Sequence, residues 1–135
     1  MKKLLLVSFL TLVSYQAQAG VAIIGNPNIG DGVSDKDIKK VFLGKKKDLG
    51  GVAVTPVDQK DGSATRKNFY EAVIGQSEDD IKAFRTEMTF TGQGTPPREL
   101  ADDSAVKAFV ASTPGAVGYI ADTKVDASVK LLSKR

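Results

Sequence analysis

Short apolar runs alternate along this chain with segments whose apolar residues recur at helical spacing, and this alternation limits the folds that the chain can adopt. The helical segments place apolar residues at i, i+3 and i+4, as in Ile38, Val41 and Phe42. Pro56 predicts that the second strand is bent or lies at a sheet edge, because proline cannot donate to a strand ladder. Alternating strands and amphipathic helices predict an α/β fold, a mixed sheet flanked by helices. The runs expected to be strands are residues 21–24, 52–57, 116–120 and 129–132.

Each helical segment also begins with a residue that can cap it. Ser34, Ser63 and Ser77 precede three of the segments, and Asp102 or Asp103 precedes the fourth. A cap followed by an apolar stripe indicates where each helix starts and which face it buries. Beyond the first helix, the side chains expected to face the core are Phe69, Ala72 and Val73; Ile81, Phe84 and Met88; and Val106, Phe109 and Val110.

The first nineteen residues have the composition of a secretory signal peptide. A positive head of two lysines precedes a short apolar core at residues 4–13 and an A-x-A sequence at residues 17–19. We therefore expect cleavage between Ala19 and Gly20, a periplasmic protein, and a single α/β domain over residues 20–135. Loss of the two lysines lowers the formal net charge from +3 to +1, which removes the main argument for nucleic-acid binding.

The chain contains no cysteine and no histidine. Thiol nucleophiles, imidazole bases and most transition-metal sites are therefore excluded. Most carboxylates fall in the first turns of predicted helices, where they stabilise the helix dipole. We therefore expect no catalytic residues, no metal site and no cofactor, and we predict that the protein is not an enzyme.

One turn has the chemistry of an anion site. A Gly-Ser sequence leads into the helix that starts at Ser63, and the first amides of a helix have no partner within it. Such amides attract anions, and the hydroxyls of Ser63 and Thr65 would add donors. Positive charge would come from Lys60, Arg66 and Lys67. The turn is therefore a candidate oxyanion site.

The same turn also fits an ordinary capped helix. In that interpretation Ser63 only caps the helix, and Arg66 and Lys67 lie on its solvated face. The residues alone favour this simpler interpretation, because a Gly-Ser pair before a helix is common. Asp61 lies in the turn itself, where it would orient the loop by accepting backbone amides or accept a proton from a protonated oxyanion.

A second loop offers further free amides and hydroxyls. It contains Thr91, Gly92, Gly94 and Thr95, and its composition rules out regular structure. Loops of this kind are mostly connectors. The loop would join the candidate site only if the fold brought it to the same end of the sheet as Ser63, since ligands of open α/β sheets lie beyond the carboxyl ends of the strands.

Four stretches, taken in order, resemble the periplasmic phosphate-binding proteins of ABC transporters. Residues 37–45 (DIKKVFLGK) are similar to that family's "I…IF.GK" stretch, and residues 57–69 to its phosphate-contacting "R.DGSGT…F" segment. Residues 91–94 fall where the family has another glycine-containing loop, and residues 113–120 (TPGAVGYI) resemble its "tPGAIGYV" strand entry. The ordered set covers residues 37–120 and implies the fold of one lobe of a type II periplasmic binding protein.

The resemblance also implies which residues touch the ligand. It assigns anion contacts to Ser63, to the amide of Ala64, and to the amide and hydroxyl of Thr65. Gln59 stands where the family's ligand-binding arginine would align, and Ala64 replaces a glycine. Arg66 would compensate for the charge that the arginine supplies.

The resemblance covers one lobe, whereas the binding proteins of this family close two lobes over their ligand. It therefore implies a binding protein for inorganic phosphate or a similar oxyanion, linked to phosphate uptake or sensing, with a homodimer or a partner protein as the other wall. The alternative is a ligand-free interaction module that docks on a membrane sensor, porin or transporter.

Overall fold

A computed structural model describes residues 20–135, and the predicted signal peptide, residues 1–19, lies outside the described residues. None of the helices formed by residues 20–135 is long and apolar enough to cross a membrane. The elements are β1 (Val21–Gly25), α1 (Asp35–Phe42), β2 (Asp48–Leu49), β3 (Val52–Ala53), β4 (Thr55–Gln59), α2 (Ala64–Phe69), a π-helical turn (Tyr70–Ile74), α3 (Glu78–Phe90), β5 (Arg98–Leu100), α4 (Asp103–Ser112), β6 (Ala116–Ala121), a 3-10 turn (Asp122–Lys124) and β7 (Lys130–Lys134).

The main sheet has five strands in the order β5-β4-β6-β1-β7. Strand β4 runs parallel to β5 and to β6, whereas β1 runs antiparallel to β6 and to β7. Strands β2 and β3 form a separate antiparallel hairpin. The predicted α/β fold with a mixed sheet is therefore confirmed.

Helices cover both faces of this sheet. Successive side chains of a strand point to opposite faces, so β1 contributes to two separate hydrophobic clusters. Ile23 packs in one cluster with Phe42 of α1 and Phe69 of α2. Ile24 packs in the other with Val110 of α4. All five residues of β1 are buried, as expected for a strand covered on both sides.

The helix starts lie where the sequence predicts them. The side chains of Ser34, Ser63, Ser77 and Asp102 each accept a hydrogen bond from the backbone amide three residues further on. These caps satisfy amides that have no partner within the helix. Four independent caps thus fix where the helices begin relative to the sheet.

The buried face of the second helix agrees only in part with the predicted one. At Tyr70 it widens into a π-helical turn, closed by a 2.7 Å hydrogen bond from the amide of Gly75 to the carbonyl of Tyr70. The wider turn places Tyr70 and Ile74 in the core, whereas Ala72 is exposed and Val73 is half-buried. Phe69 and Val73 of the predicted stripe pack in or against the core, but the prediction is wrong at Ala72 and lacked Tyr70 and Ile74, because a π turn shifts the buried face.

The second strand was predicted to be bent or to lie at a sheet edge. The predicted run, residues 52–57, is interrupted at Val54, with β3 in the hairpin and β4 in the main sheet, and the edge position is wrong for β4. Strand β4 lies between two neighbours, pairing with β6 at Thr55 and Pro56 and with β5 from Val57 onward. Pro56 has no amide hydrogen to donate, and the ladder with β5 begins only after it. The paired stretch ends at Gln59, directly before the candidate site.

Candidate anion-binding site

Ser63 joins β4 to α2 and fixes the geometry of the candidate site. Its backbone is extended (φ −68°, ψ 127°), and Gly62 before it has φ +87°, a left-handed conformation that favours glycine. The Ser63 hydroxyl accepts a hydrogen bond from the amide of Arg66 (3.2 Å) and donates one to Oε1 of Gln59 (2.6 Å). The hydroxyl therefore already makes two hydrogen bonds within the protein.

The next two residues present free backbone donors. Among residues 20–135, no acceptor forms a hydrogen bond with the backbone amides of Ala64 and Thr65. Both residues line a cavity of about 420 Å³, together with Lys67, Asn68 and Glu71. Asn68 and Glu71 are lining residues that the sequence interpretation missed, although they follow Ala64 at i+4 and i+7, the spacing of one helix face.

Gln59 belongs to the interior and does not line this cavity. It is 1% exposed, and its Nε2 donates to Oδ1 of Asp103 (2.6 Å) and to the carbonyl of Tyr119 (2.9 Å). With Ser63 as a donor to its Oε1, the side-chain amide joins β4, β6, α2 and α4. A buried amide with satisfied partners stabilises the carboxyl end of the sheet.

Arg66 is also turned inward. It is 4% exposed, its Nη1 donates to the Gln59 carbonyl and to Glu99 (3.0 Å), and its Nη2 lies 3.0 Å from Asp61. Burial alone would lower the pKa of the Arg66 guanidinium, but the Asp58 carboxylate and Glu99 outweigh it and raise that pKa. Direct ligand contacts by Arg66 and Asp61 stay predictions, and neither residue lines the cavity at Ala64.

A cluster of buried side chains around the carboxylate of Asp58 lies next to the candidate site. Asp58 is 0% exposed and accepts hydrogen bonds from the hydroxyls of Tyr70 and Tyr119, while Nη1 of Arg85 lies 2.7 Å from its Oδ2. Nη1 of Arg66 lies 3.8 Å from the same oxygen. The sequence interpretation missed this cluster. Its local signal is the i, i+4 spacing of Arg66 and Tyr70 on one helix face.

Alkaline pH is expected to expose the contribution of these tyrosines. Burial, followed by the charge of Asp58, raises the pKa of the Tyr70 and Tyr119 hydroxyls. Their contribution to the free energy of unfolding is fully present below the unfolded tyrosine pKa of about 10. It is lost as pH rises further, because the unfolded chain then releases protons that the folded chain keeps.

Each tyrosine should therefore lower the free energy of unfolding by about 1.4 kcal/mol per pH unit above pH ~10. Urea denaturation at pH values from about 9 to 11.5 measures this slope. The slope of Tyr119→Phe should be shallower than that of the wild type by one such increment. Equal slopes would show that Tyr119 ionises as easily in the folded protein as in the unfolded chain.

The second candidate loop lies away from this site. Thr91, Gly92, Gly94 and Thr95 are all exposed and lead into the amino end of β5. Because β5 runs parallel to β4, this loop enters at the end of the sheet opposite to Ser63. The structure does not bring the two together, and a ligand contact by the loop stays a prediction. Residues 20–135 contain no group of three or more acidic side chains placed to hold a metal ion.

Sequence comparison relates the chain to a phosphate-binding protein. It is 34% identical over 119 residues to the phosphate-binding protein PstS of Bacillus subtilis (strain 168). The match covers 82% of this chain and 34% of that protein, so the chain spans about a third of its relative's length. No protein-family model matches the chain.

Solved structures show the same fold. A candidate phosphate ABC transporter substrate-binding protein of Clostridium perfringens, solved with bound phosphate, superposes with a TM-score of 0.64 at 21% identity over 85% of this chain and 44% of its own. An ABC-type phosphate transport receptor of Vibrio cholerae gives 0.62 at 20% identity over 85% and 46%. PstS of Borrelia burgdorferi gives 0.61 at 14% identity over 85% and 47%. The chain spans less than half of each.

The sequence match and the superpositions agree with the resemblance carried by the four motifs. Each superposition covers 85% of the chain. The chain is therefore homologous to about a third of PstS of Bacillus subtilis, and it has the fold of one lobe of the phosphate-binding proteins with which it superposes.

Proposed function

We propose that the protein binds inorganic phosphate or a similar oxyanion at the amides of Ala64 and Thr65, as a binding protein rather than an enzyme. The observation that carries this proposal is the 34% identity to a phosphate-binding protein over a stretch that includes the Gly-Ser turn. Export to the periplasm after cleavage behind Ala19, and work beside a phosphate transporter or sensor, belong to the same proposal.

The geometry of the turn supports this proposal. Backbone amides without a protein partner are suited to an oxyanion, because a hydrogen bond to a charged acceptor is about twice as strong as a neutral one. Ala64 and Thr65 supply two such amides at the wall of one cavity, and Lys67 on the same wall supplies a positive charge. Ser63 and Gly62 hold the amides in place through the cap and the turn.

Ala64→Pro tests the proposal by removing one amide. Ala64 is the first residue of α2, a position at which proline is well tolerated, and Ser63 before it already has the extended backbone that proline requires. We expect phosphate affinity to fall by about tenfold, the loss of one charge-assisted hydrogen bond. Isothermal titration calorimetry with phosphate measures the change.

Ala64→Gly is the matched control. It keeps the amide and changes only the side chain, so we expect its phosphate affinity to stay within about threefold of the wild type. Circular dichroism and thermal unfolding establish that both variants fold. Unchanged affinity in Ala64→Pro, or an equal loss in both variants, would contradict binding at this amide, and no phosphate binding by the folded wild type would contradict the proposal as a whole.

A further inference from the structure

Asp103 places a carboxylate beside the proposed oxyanion position. It is the first residue of α4 and is 7% exposed. Its Oδ1 accepts a 2.6 Å hydrogen bond from Nε2 of Gln59, and its Oδ2 lies 3.5 Å from the hydroxyl of Thr65. The amide of Ala121 at 3.3 Å and Nζ of Lys124 at 3.4 Å complete its surroundings.

Two of these donors coincide with the positions to which the family resemblance assigns ligand contacts. The hydroxyl of Thr65 is expected to donate a hydrogen bond to the anion, and Gln59 stands where the ligand-binding arginine would align. In this chain both donate to Asp103. An internal carboxylate thus engages the Thr65 hydroxyl, which lines the cavity, while Gln59 holds that carboxylate in place from the interior.

We propose that Asp103 is a built-in competitor of the oxyanion, which weakens phosphate binding and so sets the affinity of the site. This inference rests on the proposed function. Two physical effects act together: Asp103 engages the Thr65 hydroxyl, and its negative charge repels an anion held at the neighbouring amides. Lys124, 3.4 Å from the carboxylate, offsets part of that charge.

The test compares two neighbouring aspartates. Asp103→Asn removes the charge with almost no change of shape, whereas Asp102→Asn removes a charge one residue earlier and retains an efficient helix cap. We expect Asp103→Asn to bind phosphate about 10- to 100-fold more tightly than the wild type, the size of effect that one charge within about 4–6 Å produces. Asp102→Asn, whose side chain caps α4 at the surface, should change the affinity by less than about threefold.

Isothermal titration calorimetry with inorganic phosphate measures the affinity of the folded wild type and of both variants. Tighter binding is informative because a variant that only damaged the fold would bind more weakly. Asp103→Ala, which also removes the acceptor of Gln59 and Thr65 and keeps a strong helix former in α4, is the second variant if Asp103→Asn folds poorly. Unchanged or weaker binding in the folded Asp103 variants overturns the inference and leaves the proposed function standing. Absence of binding in every folded protein overturns both.

Discussion

Replacing Asp58 by alanine is expected to lower the free energy of unfolding by about 3–5 kcal/mol, because removing one partner of a buried ion pair leaves the other charge uncompensated. Arg85 would lose its only carboxylate partner within residues 20–135 and remain buried. The hydroxyls of Tyr70 and Tyr119 would lose their shared acceptor as well. Urea denaturation followed by far-UV circular dichroism measures the change.

Asp61→Ala is the matched control for Asp58→Ala. Asp61 also pairs with Arg66, at 3.0 Å, but its side chain is 62% exposed. Exposed ion pairs contribute little, so we expect a loss of less than about 1 kcal/mol. Similar losses in the two variants would show that burial does not distinguish these carboxylates and would contradict the assignment of Asp58 as the centre of the cluster.

Replacing Phe69 by alanine is expected to cost about 3–5 kcal/mol, the range for removal of a large aromatic side chain from a packed core. Phe69 is 0% exposed, and its ring stacks on Tyr119 with the centroids 3.9 Å apart. It also meets Phe42 edge-on at 4.7 Å, so one ring joins α1, α2 and β6. Denaturant unfolding measures the loss.

Phe90→Ala removes the same atoms from the surface. Phe90 is 92% exposed at the end of α3, so we expect its removal to change the free energy of unfolding by less than about 0.5 kcal/mol. A small loss of unfolding free energy in Phe69→Ala would contradict the prediction and show that the core repacks to fill the space of the missing ring. A large loss in Phe90→Ala would show that this ring packs against the protein in solution.

Local sequence signals predicted the parts of the fold that depend on neighbouring residues. The caps at Ser34, Ser63 and Ser77 follow from side chains that bond to amides three residues away. Strand β5 was not predicted, because its polar residues flank no apolar run and it exists only through pairing with β4. The π turn was not predicted either, since an i, i+4 pattern carries no information on an inserted residue.

In the candidate site, too, the features set by neighbouring residues were predictable and those set by distant contacts were not. The free amides of Ala64 and Thr65 follow from a turn and a cap that lie next to each other in sequence. The roles of Gln59 and Asp103 do not, because their hydrogen bond joins residues 44 positions apart and requires β4 and α4 to be packed. Arg66 was expected either to supply charge to a ligand or to lie on the solvated face of its helix. Instead its side chain is buried among carboxylates from β4, the turn after β4, α3 and β5, which lie far apart in sequence.

The most direct measurement of the central claim is a titration of the ¹⁵N-labelled protein with inorganic phosphate, followed through its amide resonances. The account predicts that the amides of Ala64 and Thr65 show the largest shifts and saturate with a single dissociation constant. The amides of Glu78 and Asp79, which also begin a serine-capped helix, serve as the internal control and should stay nearly unchanged. Saturable shifts centred elsewhere, or no shifts at Ala64 and Thr65 while phosphate binds, would contradict the account.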